Sequence, residues 1–120
     1  MYKEIVIGAG ENPKTIGFLS NGVTPLFYKQ VFKTDLLQML TDSGDMEIAG
    51  DKIPELAYIM AKQAEKADMS KANYEGYIEW LSQFEALDIV LKAAEIANVY
   101  ISDSLTSVEP KKNGKGKANA

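Results

Sequence analysis

The chain of 120 residues contains neither cysteine nor histidine. Without cysteine it has no disulfide, no thiolate nucleophile and no cysteine-based zinc site. Without histidine it also lacks the commonest metal ligand and the side chain that most often acts as a general base near neutral pH. Carboxylate, tyrosine or lysine chemistry stays open, but the two absences together favour a binding protein over an enzyme.

Long apolar runs are missing as well. The first ten residues hold an apolar run of only three residues, at positions 5–7, so we expect no signal peptide. No other stretch approaches the roughly 20 apolar residues that a membrane-spanning helix needs. We therefore expect no membrane partner, and a reducing cytoplasm is the simplest compartment for a cysteine-free chain.

Negative charge dominates the chain up to its last ten residues. The net charge is −4, and those last residues carry four lysines and no acid, so residues 1–110 carry a net charge of −8. A body this acidic repels the phosphates of nucleic acids. We therefore expect a protein partner and no nucleic-acid partner.

Three patterns that can mark a chemical site are incomplete in this chain. The glycines at 8–10 resemble part of a phosphate-binding loop, but Pro13 stands where the helix of such a loop would begin. The acidic residues at 42–51 lack the ligand order of a calcium-binding loop. Glu75 and Glu79, one helical turn apart, are typical of an exposed helix face. We expect no catalytic residue, no metal site and no cofactor.

The first twenty residues predict a β-hairpin. Residues 2–8 and 14–19 alternate and are rich in β-branched side chains, and the Gly-Glu-Asn-Pro segment at 10–13 has the residues of a turn. Two strands alone are marginally stable in water. The hairpin must therefore pack against other elements or pair with another chain.

Apolar spacing predicts helices in the rest of the chain. Thr24-Pro25 suits an N-cap followed by a first helical position, and the helix it opens extends to residue 40 with a bend after Phe32. Further helices are predicted from Asp51 onward, over 73–84 and over 86–104.

The expected fold is mainly α. It is a bundle of four to five helices over 24–105 with the short hairpin at 1–20, in one domain of residues 1–107. We expect the lysine- and glycine-rich tail at 108–120 to be disordered, because its composition suits an exposed terminus.

The last two predicted helices are unusually apolar. The helix at 86–104 is apolar over roughly 220° of its circumference. It is therefore either the central helix of the bundle or packs inward on one side and against a second subunit on the other. The helix before it carries four aromatic residues, which favour core packing first and a partner interface second. Candidate partner-binding residues on the two helices are Trp80, Phe84, Ile89, Ile96 and Tyr100.

Several segments in a fixed order resemble one protein family. They are TPLFYKQVFKTDLL (24–37), PELAYIMAKQAEKAD (54–68), YIEWLSQFEALDI (77–89), an apolar helix with VYI (99–101) and the lysine-rich end PKKNGKGK (110–117). Together they resemble the tail assembly chaperones of long-tailed bacteriophages and of prophages in Gram-positive hosts. The resemblance covers roughly residues 24–117 and includes no catalytic signature.

The resemblance implies a non-enzymatic role in the cytoplasm of the host bacterium. Such chaperones bind the long, hydrophobic tape measure protein, keep it soluble and help to recruit the major tail tube protein. They are absent from the mature virion. Two other interpretations stay open: a structural component such as a head–tail connector, or a small helical regulator that binds another protein. Self-association also stays open, through the hairpin or the second side of the last helix.

The family also makes a longer form by programmed frameshifting, which predicts a property of this gene. Lys111, Lys112 and Asn113 can be encoded AAA-AAA-AAC, a run on which paired tRNAs slip back by one base. We expect the gene to show this run, an open shifted frame that passes the stop codon, and a very long gene downstream. Mixed lysine codons with a closed shifted frame would contradict the prediction and leave the tail as a solvated end.

Overall fold

The computed structural model describes residues 1–8, 12–36 and 50–108, with side chains described as far as Ser102. These residues form a two-stranded antiparallel hairpin and five α-helices. The predicted mainly helical fold with an N-terminal hairpin is therefore confirmed. The predictions for the helix beyond Leu36, for most of the acidic loop and for the tail from residue 109 lie outside the described residues.

The hairpin consists of β1 (Tyr2–Ile7) and β2 (Lys14–Leu19), which pair in the register Tyr2↔Leu19 to Ile7↔Lys14. Ile5, Ile7 and Phe18 are buried on one face of the hairpin. Alternate residues of β1 on the other face are exposed, as the two-residue period of a strand requires. The hairpin therefore packs against helices of the same chain.

The helices follow in chain order, with two short 3₁₀ turns between them. They are α1 (Thr24–Phe32), α2 (Ile53–Ala64), α3 (Tyr74–Leu81), α4 (Asp88–Leu91) and α5 (Ala93–Val108). The 3₁₀ turns are Gly50–Lys52 before α2 and Met69–Lys71 before α3.

Two predicted helices are interrupted in the structure. The helix from Thr24 ends at Phe32, where the sequence predicts a bend, because Lys33 adopts a left-handed conformation with φ 61° and its N–H donates to Lys29 O. The continuous helix predicted over 86–104 is divided at Lys92, whose N–H donates to Ile89 O, three residues back. This tighter bond closes α4 after one turn, and α5 then extends to Val108, past the predicted end.

The centre of the fold is α2. Eight of its twelve residues are buried, and it packs against β2, α1, α3 and α5. The sequence predicts a single apolar face on this helix, yet Tyr58 and Ile59 outside that face are buried too. Neighbours on several sides explain the difference, because an enclosed helix has little solvent-facing surface. The central position proposed as one alternative for the last helix therefore belongs to α2.

Hydrogen bonds near both ends of α2 hold α1 against it. The buried Thr24 Oγ1 donates to Gln63 Oε1 (2.7 Å), and Gln63 Nε2 donates to Asn21 Oδ1 (3.1 Å). Further along α1, the Tyr28 hydroxyl donates to Glu55 Oε1 (2.6 Å). The two helices therefore run antiparallel, with the N-terminus of α1 beside the C-terminus of α2.

Replacing Thr24 by Val tests this polar contact, because Val keeps the shape of the side chain and removes the hydroxyl. Gln63 Oε1 loses a buried donor, and the Asn21 N–H loses the acceptor that lies 2.9 Å away. We expect the free energy of unfolding, measured with denaturant, to fall by about 1–3 kcal/mol. Thr15→Val, on the exposed face of β2, is the matched control and should change it by less than about 0.5 kcal/mol. Equal effects of the two variants on the free energy of unfolding would contradict a stabilising role for the Thr24 hydroxyl.

Candidate protein-binding surface

A groove of about 570 Å³ lies between β2, the C-terminal half of α2, the second 3₁₀ turn and α3. We call it the α2–α3 groove. Its apolar lining comes from Ile16, Tyr58, Met69, Ala72 and Trp80. Its charged lining comes from Lys62, Glu65, Asp68, Lys71 and Glu79. The hairpin and three segments between residues 58 and 83 therefore build one concave surface with apolar and charged parts.

The end of α2 shapes one wall of the groove. Lys66 adopts a left-handed conformation with φ 60°, and its N–H donates to Gln63 O, while the Ala67 N–H donates to Lys62 O. This pair of bonds is the Schellman pattern that turns the chain away from a helix end. Glycine is the usual residue at the left-handed position, so no glycine marks this turn in the sequence.

Two side-chain caps hold the segment that follows. Asp68 accepts hydrogen bonds from the Ser70 N–H (3.1 Å) and the Ser70 hydroxyl (2.7 Å), and these bonds lower the pKa of the Asp68 carboxyl. Asn73 caps α3 by accepting from the Gly76 N–H at 2.7 Å. The 3₁₀ turn and the start of α3 are thus positioned by local bonds as well as by packing.

A glycine allows α3 to approach α2 closely. A Cβ atom on Gly76 would lie 2.7 Å from the Tyr58 hydroxyl oxygen, which is closer than any ordinary van der Waals contact. Any larger residue at position 76 would therefore displace Tyr58, which is buried and lines the groove. The spacing of the two groove walls depends on this one missing side chain.

Aromatic rings beneath the groove form a connected series across three helices. Tyr58 of α2 contacts Tyr77 and Trp80 of α3 at centroid distances of 5.7 and 5.9 Å. Phe32 of α1 contacts Tyr77 edge-on at 5.1 Å, and Phe84 contacts Trp80 edge-on at 5.1 Å. Such tilted and edge-on pairs add to the stability that burial of the rings provides.

Burial also changes the ionisation of two of the helix tyrosines. It raises the pKa of Tyr77 to about 12, with a further contribution from the nearby Glu55 charge. Burial and the hydrogen bond to Glu55 likewise raise the pKa of Tyr28. In the unfolded chain these hydroxyls ionise near pH 10. The stabilisation from Tyr77 is therefore complete below pH 10 and is lost as the pH rises from 10 to about 12.

Most of the residues predicted to bind a partner lie in the core. Trp80, Ile89, Ile96 and Tyr100 are buried, and Phe84 is partly buried against the same core. Trp80 still lines the groove, and Phe84 lines a separate hollow of about 280 Å³ beside β1. Partner contact by these five residues stays a prediction, since the structure gives each of them a packing role.

The aromatic group on α3 is split between core and surface. Tyr77 and Trp80 are buried, as the core expectation required, whereas Tyr74 is exposed. Sequence reasoning named Met69 among the methionines available for adaptable contacts but did not single out the groove residues Ile16, Tyr58 and Ala72. The only local signal was Gly76, because a glycine inside a helical pattern often has a packing reason.

A second surface is apolar and convex. Leu87 at the N-cap of α4, Val90 and Leu91 of α4, and Val6 of β1 are all exposed, and we call these four residues the α4 patch. Val90 and Leu91 follow Leu87 by three and four residues, which places all three on one side of the helix. Val6 and Leu91 line a common hollow of about 140 Å³, so the strand and the helix contribute to one continuous patch.

Neither a metal-binding cluster nor a membrane-spanning helix is found within the described part of the chain. No group of three acidic residues there is arranged to hold a metal ion. None of its helices is long and apolar enough to cross a membrane. Protein recognition is what its grooves and exposed apolar side chains can support.

Trp80→Ala separates a core role from an interface role. Trp80 is 6% exposed and packs against Tyr58 and Phe84, so the variant should lose about 3–5 kcal/mol of unfolding free energy. Tyr74→Ala removes an exposed ring from the same helix and should lose about 1 kcal/mol. Thermal or denaturant unfolding measures both. A Trp80 variant that melts like the parent but fails to bind its partner would place Trp80 at an interface instead.

Comparisons with protein-family models, with curated proteins and with solved structures found no match to this chain.

Proposed function

We propose that this chain is a tail assembly chaperone of a long-tailed bacteriophage or prophage. In this role it binds apolar segments of the tape measure protein in the host cytoplasm, keeps that protein soluble and helps to recruit the major tail tube protein. It leaves the assembly before the virion is complete. The order of the segments between residues 24 and 117 supports the family, and the α2–α3 groove supports a site for the client.

The observation that carries the proposal is the combination of apolar and charged groups in the groove. Its volume of about 570 Å³ falls in the range of roughly 300–1,000 Å³ that is usual for binding clefts. An amphipathic client helix binds such a groove by inserting the apolar side chains of one face. Trp80 and Tyr58 are the residue types that most often dominate binding energy, and Met69 adapts to irregular apolar partners.

The charged residues suit a client that must later be released. Lys62 already contacts Glu65 at 3.4 Å, and Glu65, Asp68, Lys71 and Glu79 are exposed. Exposed charges of both signs add specificity and little affinity. Affinity then comes mainly from the apolar lining, which accepts many apolar sequences.

The net charge of the body supports the same role. Residues 1–110 carry a net charge of −8, and such a charge keeps a protein and its bound client dispersed through mutual repulsion. A chaperone that covers a long apolar client needs this property more than it needs tight binding to any one segment.

A charge placed in the apolar lining tests the groove. Ala72→Glu adds a carboxylate there without emptying the core, because Ala72 is only partly buried. Co-expressed with the tape measure protein encoded beside it, the wild-type chain should keep that protein in the soluble fraction. We expect Ala72→Glu to weaken binding at least about tenfold, which corresponds to about 1.4 kcal/mol, and to lower the soluble fraction.

Ala86→Glu is the matched control, because Ala86 is exposed and does not line the groove. It should leave the soluble fraction of the tape measure protein unchanged. If both variants act alike, the groove is not the client site. If the wild-type chain has no effect on solubility and is found in purified virions, the chaperone role is wrong and a structural tail component takes its place.

A further inference from the structure

We propose that the α4 patch is the contact between two copies of this chain, related by a two-fold axis that passes beside α4 and is perpendicular to it. The inference goes beyond the proposed function and does not depend on a client, since the patch and the α2–α3 groove have no residue in common.

The apolar side chains of the α4 patch are strongly exposed. Leu87, Val90 and Leu91 are 63%, 61% and 69% exposed, on a single helical turn that the Leu91 N–H bond to Leu87 O closes at 2.9 Å. The opposite side of this turn already packs against the core, because Ile89 is buried there. Contiguous exposed aliphatic side chains of this kind mark interaction surfaces.

Charges of both signs lie beside the apolar side chains of the α4 patch. Asp88 and Lys92 lie at the two ends of α4 and line the same hollow as Val6 and Leu91. One is acidic and the other is basic, and they are four residues apart. The charged lining of this hollow is therefore balanced in sign, whereas the body as a whole is acidic.

These charges favour a second copy over an unrelated partner. A two-fold contact brings the same patch together from both subunits, so the patch must be complementary to itself. A two-fold axis perpendicular to α4 reverses the direction of the helix. Centred on the patch, it brings Asp88 of each copy close to Lys92 of the other and the Leu87 end of each patch close to the Leu91 end of the other. Apolar residues then meet apolar residues, while Asp88 and Lys92 of each copy meet a group of opposite charge on the other.

Both charged groups have hydrogen-bonding capacity left for this contact. Asp88 Oδ2 accepts from the Glu85 N–H at 2.8 Å, which leaves the second carboxylate oxygen to a partner. Lys92 Nζ lies 3.5 Å from Glu95 Oε1, and an ammonium group has three donors. The intramolecular bonds also restrain both side chains, which lowers the entropy cost of pairing across the axis.

Sedimentation equilibrium of the full chain tests the proposal over about a hundredfold range of concentration. The wild-type chain should follow a monomer–dimer equilibrium. Leu91→Glu should raise the dimer dissociation constant at least about tenfold. Leu26→Glu is the matched control, because Leu26 on α1 is 66% exposed and lies outside the patch. It changes the net charge equally and should leave the dissociation constant unchanged.

A mixture of two charge variants tests the two-fold arrangement itself. Lys92→Glu makes both ends of α4 acidic, and Asp88→Lys makes both ends basic, so each variant alone should be monomeric. Mixed together they should form a heterodimer in which both charge pairs are attractive. Circular dichroism of each variant verifies that it is folded.

Three results would overturn the proposal. They are a wild-type chain that stays monomeric throughout, a Leu26→Glu variant that dissociates as readily as Leu91→Glu, and a mixture of folded charge variants that fails to associate. Each can be obtained without the tape measure protein. Failure of the dimer is therefore distinguishable from failure of the chaperone role.

Discussion

The enclosure of α2 is the constraint on which the rest of this structure depends. Phe18 of the hairpin, Tyr28 of α1 and Ile96 of α5 belong to the same buried core as α2 and are fully buried. A hairpin of two strands is marginal by itself, so it is stabilised by the helices that it covers. The helices in turn depend on the hairpin, because without it the apolar side of α2 that faces β2 would be open to water.

Polar groups within this core determine how the elements are aligned. The Thr24–Gln63 bond and the Tyr28–Glu55 bond, about one turn apart on α1, allow one antiparallel register of α1 on α2. Apolar packing alone is less selective, because it tolerates small sliding of one helix along another. The position of the groove walls depends on the same alignment, because the walls come from α2 and from α3, which packs against α2.

The alternation and spacing of apolar residues predicted the strands and helices, which depend mainly on residues close together in sequence. Alternating residues predicted both strands, and apolar spacing predicted α2 and α3 and the burial of Trp80. The sequence predicted a bend after Phe32, but not the left-handed turn at Lys66, because lysine occupies a position where glycine is the usual residue. Neither glycine nor proline marks the division at Lys92. The apolar width of the last helix was predicted, but the sequence could not say which side of it faces solvent.

The candidate site was harder to predict than the fold. The groove brings together Ile16, Tyr58, Ala72 and Trp80 from four separate segments, and no periodicity links residues so far apart. Of these only Trp80 was a candidate from sequence. Gly76 was visible as an interruption of a helical pattern, but its role follows from the position of the Tyr58 hydroxyl, which only the packing of α3 on α2 reveals.

Hydrogen exchange with and without bound tape measure protein tests most directly whether this groove holds the client. Amide exchange reports local opening, and a bound partner slows it at the segments that it covers. The account predicts slower exchange from the end of α2 through the 3₁₀ turn Met69–Lys71 and α3, with α1 unchanged. Slower exchange confined to α1 or to the α4 patch, with the groove unchanged, would contradict it.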